Sequence, residues 1–310
     1  MFKDISESFS TVRLGKSLYL VKEGYKGLFI REGVEPLLSS QHPKTFHGRG
    51  AYASIPLSDF PDKRVIVKQY RHGGLWGRLA GDILWLNHRP LRELMNTEQA
   101  LQRGVSTAEV IGTRIERLLW PFYRAELFSL EVSGTEDLIE FLTRHPAEEL
   151  MGLKKGLITQ IAQAVRKMHD AGLYHADLHL KNILLQGLET RPRRASGGQV
   201  GDRAPTRYSP DALPSGIKVY IIDLDKSTIF ERLSMTKRMD NLLRLERSVE
   251  KFKAWQNCPG LISKTDKLRF LRAYLGEEGD WKPLVRRFAT GHALHRFWWR
   301  LLRAMGWNLY

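Results

Sequence analysis

One cysteine, Cys258, in 310 residues excludes an intramolecular disulfide framework and a thiolate zinc cluster, and it suits a reducing, cytoplasmic compartment. Long apolar runs are missing as well. Nothing approaches the roughly 18 uninterrupted apolar residues of a membrane-spanning helix, so none is expected. The opening MFKDISESFSTVRLGKS has no apolar h-region, which argues against a signal peptide. Acid is scarce relative to base: 34 Asp and Glu face 49 Lys and Arg, leaving a net charge of +15. That excess favours polyanionic partners in general, whether nucleic acid, anionic lipid or a phosphorylated substrate. No helix-turn-helix, zinc finger or RNA-binding motif accompanies it, so nucleic acid is not an expected partner. Internal repeats are absent.

Hydrophobic patterning divides the chain in two. Up to about residue 131 it reads mainly as strands. Ser17 to Val21 and Gly27 to Arg31 are short apolar runs separated by Gly-Tyr-Lys-Gly, the pattern of a hairpin, and Ala51 to Ile55, Arg64 to Tyr70 and Arg124 to Val132 read as further strands. A single helix is expected around Arg92 to Gln102, stopped by Gly104. From residue 132 the spacing turns helical. Leu157, Ile158, Ile161, Ala162, Val165, Met168 and His169 recur every three or four positions, predicting a buried amphipathic helix capped by Gly172, with His169 a satisfied core histidine. Residues 187–216 are rich in Gly, Pro, Ser and Arg and poor in apolar side chains, which predicts a mobile surface loop.

The chemistry-bearing pattern follows that helix. In His175-Ala176-Asp177-Leu178-His179-Leu180-Lys181-Asn182, the Asp and the Asn stand five positions apart, the spacing of a kinase catalytic loop. Asp177 is the candidate base for a substrate hydroxyl, Asn182 the candidate magnesium ligand, and His175 a scaffold residue. Downstream, Val219 to Ile222 reads as a buried strand delivering Asp223, the position of a second metal-binding carboxylate. The triplet is Asp223-Leu224-Asp225, without the usual glycine, which suggests a segment less able to flip. Asp225 could add a carboxylate near the metals or cap the next turn. Upstream, Val65-Ile66-Val67-Lys68 matches a strand presenting a phosphate-binding lysine. A buried ammonium needs an acid, and of Glu93 and Glu98 the former is favoured. Gly48 and Gly50 lie between two expected strands, where backbone N–H groups could approach phosphates.

These residues resemble the bacterial lipopolysaccharide core kinases of the Kdo/heptose kinase family, from about Phe46 to Ser227. The resemblance runs through Gly48-Arg49-Gly50, Val67-Lys68-Gln69-Tyr70-Arg71-His72-Gly73-Gly74-Leu75, Arg89-Pro90-Leu91-Arg92-Glu93, His175-Ala176-Asp177 and Ile222-Asp223-Leu224-Asp225. It implies an α+β, bilobal protein-kinase-like fold: a mainly β N-lobe over 1–131 with one key helix, and a mainly α C-lobe over 132–310. It also implies ATP and Mg2+, with Asp177 as base, Asn182 and Asp223 on magnesium, Lys68 and Glu93 orienting phosphates, and Glu131, Val132 and Ser133 as the hinge meeting adenine. The stretch after the lysine is more similar to kinases of 3-deoxy-manno-octulosonic acid (Kdo). That implies phosphorylation of a Kdo hydroxyl on a lipid A precursor at the cytoplasmic face of the inner membrane. A heptose kinase of the same pathway is the runner-up. A protein kinase, lacking an Ala-Pro-Glu segment, and a non-catalytic kinase-fold scaffold stand further off. One departure is His179, where protein kinases carry a lysine whose duty Lys181 or an Arg could take.

Charge and apolar pattern add a membrane argument. Leu294, Phe297, Trp298, Leu301, Leu302 and Met305 form a helical stripe with Arg296, Arg300 and Arg303 largely off it, predicting a basic amphipathic helix that either lies on an anionic membrane surface or packs on the C-lobe. Arg71, His72 and Arg78 could hold substrate phosphates or carboxylates.

Overall fold

Burial alternates along Ser17–Lys22, with Ser17, Tyr19 and Val21 inward, as a strand with one covered face requires. The same logic organises the first of the chain's two compact units, Met1–Thr135 with Tyr220–Ile229. The computed structural model describes residues 8–31, 44–46, 52–57, 60–70, 84–85, 89–145, 147–187, 217–256 and 261–276. In unit 1 the strands are β1 (Phe9–Leu14), β2 (Ser17–Lys22), β3 (Lys44–Phe46), β4 (Tyr52–Leu57), β5 (Phe60–Gln69), β6 (Leu84–Trp85), β7 (Val110–Arg117) and β8 (Phe122–Leu130). They form one antiparallel sheet ordered β1-β2-β7-β8-β5-β4-β3, with β6 also paired to β8.

The two faces of that sheet carry different cores, and β5 shows why. Val65 and Val67 join Val21, Ile55, Leu57, Ile111 and Phe128 on one face, under helix α1 (Lys26–Arg31) through its Leu28 and Phe29. Tyr70, one step out of phase, joins Leu84, Val110 and Leu127 on the other, under helix α2 (Arg89–Gln102) through Leu94. Lys68 shares the phase of Tyr70 and so faces α2. The hairpin expected from Ser17 to Arg31 is corrected: after β2 the chain makes a 3-10 turn over Glu23–Tyr25 and enters α1 instead of a second strand. As a helix the Leu28-Phe29 pair can reach the sheet, where Phe29 meets Phe128 edge-on with ring centres 5.2 Å apart. Gly112 on β7 makes room, since a Cβ there would stand 3.0 Å from the Leu20 carbonyl and 3.3 Å from the Phe29 ring. Strands β1 and β7 pair with β2 on either side.

The second unit, Glu136–Val219 with Phe230–Tyr310, is mainly helical. Between the units in sequence lies β9 (Thr135–Asp137), whose Asp137 caps helix α3 (Leu138–Arg144) by accepting from the Glu140 N–H at 2.8 Å. Helix α4 (Ala147–Asp170) buries Leu157, Ile161, Ala162, Val165 and Met168 as the periodicity predicts. It ends at Gly172, whose φ of 79° and bond to the His169 carbonyl at 3.0 Å are those of a left-handed cap. Strands β10 (Leu173–Tyr174) and β11 (Ile183–Gln186) are short, as are β12 (Lys218–Ile221), which runs on in sequence into the first unit, and β13 (Thr228–Ile229), which belongs to that first unit. Helix α5 (Met235–Trp255) is capped by Ser234, and α6 (Lys264–Leu275) starts with a reciprocal Ser263–Asp266 capping box and packs on α4. Among the described residues no helix is long and apolar enough to cross a membrane.

Candidate active site

In unit 1 the end of β5, the start of α2 and the segment after β12 converge on one charged cluster. Lys68 Nζ reaches both oxygens of Glu93, at 3.0 and 2.9 Å, and Asp223 Oδ1 at 2.5 Å. Glu98, the other candidate acid, pairs with Lys22 at 3.2 Å instead. Tyr70 donates its hydroxyl to Glu93 Oε2, and its ring lies 5.2 Å from Lys68 Nζ and 5.4 Å from the Arg89 guanidinium. Burial alone would lower the Lys68 ammonium, but the attraction and hydrogen bonds of Glu93 and Asp223 outweigh it and hold it above its ordinary value. For Glu93 burial wins in the other sense and pushes the carboxyl up, against the pull of Lys68. The two shifts disagree about the pair. With Lys68 and Tyr70 both donating to Glu93, the geometry is that of a carboxylate, and we read an ion pair at neutral pH.

Helix α2 also clamps the segment that carries Asp223. Asn96, three positions after Glu93 and on the same helix face, donates to the carbonyls of Leu224 at 3.1 Å and Ser227 at 2.7 Å. Arg89, one turn before Glu93, pairs with the buried carboxylate of Asp225. Asp223 itself has a φ of 64°, in the left-handed region that an Asp tolerates better than most residues. Carboxylate oxygens of Glu93, Asp223 and Asp225 lie within 4.8 Å of one another, so hard oxygen donors suited to magnesium are gathered here.

In unit 2 the loop from His175 to Asn182 is held through its backbone. Asn241 on α5 accepts from the His175 N–H at 3.0 Å and donates to its carbonyl at 2.9 Å. Seven residues further along α5, Ser248 accepts from the Leu180 N–H at 3.1 Å. The buried His175 ring accepts from the Asp177 N–H at 3.2 Å, and the Asn182 amide donates to the Asp177 carbonyl at 3.0 Å. The donor half of that amide is therefore spent on the loop, and its oxygen is the atom that chemistry would offer a cation. Lys181 is exposed beside it.

His169 belongs to the same scaffold. Because Asn241 uses its amide NH2 on His175, its oxygen must accept from His169 Nε2 at 3.2 Å, leaving Nδ1 to accept from the Tyr274 hydroxyl at 2.7 Å. Burial lowers the imidazole to about 4, so it is neutral at pH 7. A histidine depressed on folding contributes stability that is full above its unfolded value near 6.5 and lost as pH falls through about 4. We expect the unfolding free energy from urea titrations to drop between pH 6.5 and 4, by an amount on the order of a few kcal/mol in all, and a His169→Gln variant to lose much of that slope. An equal slope in the variant would locate the effect elsewhere.

Comparison with known proteins now bears on this geometry. The lipopolysaccharide kinase (Kdo/WaaP) family model matches residues 49–196. A 3-deoxy-D-manno-octulosonic acid kinase of Vibrio cholerae serotype O1 is 30% identical over 210 residues, 66% of this chain and 72% of that protein. The chain belongs to the lipopolysaccharide kinase (Kdo/WaaP) family. Another 3-deoxy-D-manno-octulosonic acid kinase, from Actinobacillus succinogenes, is 24% identical over 249 residues, 79% of this chain and 83% of that protein. Among solved structures, that of WaaP in complex with acyl carrier protein aligns with a TM-score of 0.55 at 18% identity, covering 88% of this chain and 97% of that one. The fold is therefore kinase-like and α+β, and the protein is a kinase of the lipopolysaccharide core, which implies ATP as its phosphoryl donor.

Other predicted positions in this kinase fall unevenly. Glu131 donates its N–H to the Arg64 carbonyl at 2.8 Å, while its side chain bonds Ser54 and lies 3.3 Å from Arg64. The Val132 carbonyl accepts from Thr135 at 2.7 Å, and Ser133 follows on the same loop. Gly48, Gly50, Arg71, His72, Arg78, residues 188–216 and the 294–305 stripe lie outside the described residues. Arg89, Asn96, Asn241 and Ser248 were not singled out for any role from sequence. Arg89 stands in a motif quoted for the resemblance and Asn96 sits three residues after Glu93, but nothing local marks Asn241 or Ser248.

Proposed function

We propose that this kinase transfers the γ-phosphoryl group of ATP to a Kdo hydroxyl of a Kdo–lipid A acceptor, working peripherally at the cytoplasmic face of the inner membrane. The observation that carries the phosphotransfer reading is the cluster of Lys68, Glu93 and Asp223, an ammonium fixed between two carboxylates on the elements where a kinase orients nucleotide phosphates. The Kdo assignment is supported by the relatives from Vibrio cholerae and Actinobacillus succinogenes, both named for that sugar.

In this reading Asp177 takes the proton of the attacking hydroxyl. Asn182 and Asp223 would hold magnesium, which supplies neutralisation of charge on the transferring phosphoryl group. Lys68, aligned by Glu93, contacts the donor phosphates, and Gly48 and Gly50 offer backbone N–H groups to them. Adenine would meet the backbone of Glu131, Val132 and Ser133. Within the unit the Glu131 N–H is bonded to the Arg64 carbonyl and the Val132 carbonyl to Thr135.

Incubation with γ-labelled ATP, Mg2+ and purified Kdo–lipid A is expected to label the Kdo residue, with heptose-containing acceptors adding nothing further. Label appearing only when heptose is present would remove the Kdo assignment in favour of a heptose kinase. Label on protein alone would remove both.

A further inference from the structure

Strand β7 ends at Arg117 and β8 begins at Phe122, so the hairpin between them reads Leu118-Leu119-Trp120-Pro121. Backbone bonds from the Leu118 N–H to the Phe122 carbonyl (3.1 Å) and from the Phe122 N–H to the Leu119 carbonyl (2.5 Å) close it tightly. A closed turn would ordinarily display polar residues. Here Trp120 is 83% exposed and Leu119 76%. The β1–β2 turn lies alongside, joined by the Arg117 N–H to the Lys16 carbonyl at 3.3 Å, and it adds exposed Leu14 and Leu18. With exposed Leu118 and Phe122, two adjacent turns carry six large apolar side chains at one end of the sheet. Single exposed leucines need no explanation, but so many on two neighbouring turns do.

Among the described residues the exposed charges beside it are basic, Arg13, Lys16 and Arg117, while the partly buried Glu116 faces Arg114 at 3.5 Å.

We propose that this double turn is a membrane-contact finger, which places Leu119 and Trp120 in the interfacial layer of an anionic bilayer with Arg13, Lys16 and Arg117 against lipid phosphates. The inference rests on the lipid-linked acceptor proposed above. Tryptophan favours the bilayer interface, and a collar of arginine and lysine draws a surface towards anionic headgroups. A lipid surface suits the shape better than a protein does. A stable protein–protein interface needs a matched surface of about 800 Å² on each partner, whereas lipid closes around a projecting turn without one. Leu127, the partner of Lys68, is five steps along β8 from Phe122, so the finger stands about 17 Å along the strand from the lysine cluster. Changes at the tip should leave that cluster intact.

The test is co-sedimentation of the full chain with vesicles of phosphatidylethanolamine and phosphatidylglycerol, comparing the wild type with a Leu119→Ser, Trp120→Ser double variant. The variant is expected to partition at least roughly tenfold less, as removal of two interfacial apolar side chains implies. Its thermal midpoint and its turnover of a deacylated, water-soluble Kdo acceptor should not change. Equal partitioning of the two proteins overturns the finger. So does partitioning that disappears only when Trp298 and Trp299 are replaced, or capture of an acidic soluble protein without vesicle binding. Tip-dependent partitioning by an enzyme that labels no Kdo acceptor supports the finger and removes the substrate reading alone.

Discussion

Replacing Asp177 with alanine is expected to lower kcat by roughly 10²- to 10⁴-fold, the usual contribution of a positioned general base, while KM for ATP stays within a few-fold. Two of the bonds that hold the loop together use the main chain of Asp177: its N–H donates to His175 and its carbonyl accepts from Asn182. The side chain can be removed without touching either. Asn241 and Ser248 continue to pin His175 and Leu180 from helix α5. A large fall in kcat without loss of fold, checked by single-turnover phosphoryl transfer and the urea midpoint, is therefore the expected outcome. Near-wild-type transfer by Asp177→Ala would mean that another group accepts the proton, or that none is needed. Loss of folding would instead show that the carboxylate supports the loop.

Elements that could be read from sequence share a feature: their signal is local. Val65-Ile66-Val67-Lys68 is a short β-branched run ending in a lysine, and the structure puts Val65 and Val67 in one core and Lys68 on the opposite face. The period of Leu157 to His169 is equally local, and so is its stop at Gly172. Pairing across the chain is a different kind of information. Arg89 meets Asp225 across 136 positions, and Asn241 meets His175 across 66, with no spacing that announces either contact. Asp225 illustrates the limit. Sequence left it between a metal ligand and a turn cap, and the structure shows its carboxylate held by Arg89 while lying near those of Glu93 and Asp223. Helix α1 was misread for a related reason. Leu-Phe-Ile after glycine suits a strand in isolation, and only the sheet face waiting for Leu28 and Phe29 makes a helix the better solution.

The lysine cluster yields the second large effect, in which stability and activity should separate. Lys68→Met removes the ammonium shared by Glu93 and Asp223 and leaves a buried carboxylate without its main counter-charge. Breaking a buried pair from one side costs about 3–5 kcal/mol, and Tyr70, a neutral donor, offsets only part of it. The urea midpoint should fall accordingly. Loss of one positioned donor to the phosphates should also cut kcat by roughly 10²- to 10³-fold. Adding Glu93→Gln to Lys68→Met removes the orphaned charge and keeps a side chain of similar volume that can still accept from Tyr70. The double variant should therefore regain much of the stability, since the two sites touch and their effects cannot simply add. It should regain none of the activity, because the lysine needed by the phosphates is still missing. If activity returned together with stability, Lys68 would be a structural residue whose loss merely loosens the fold. If the double variant were less stable than Lys68→Met alone, Glu93 would take up a proton once the lysine is gone, and no orphaned charge would be left for Glu93→Gln to relieve.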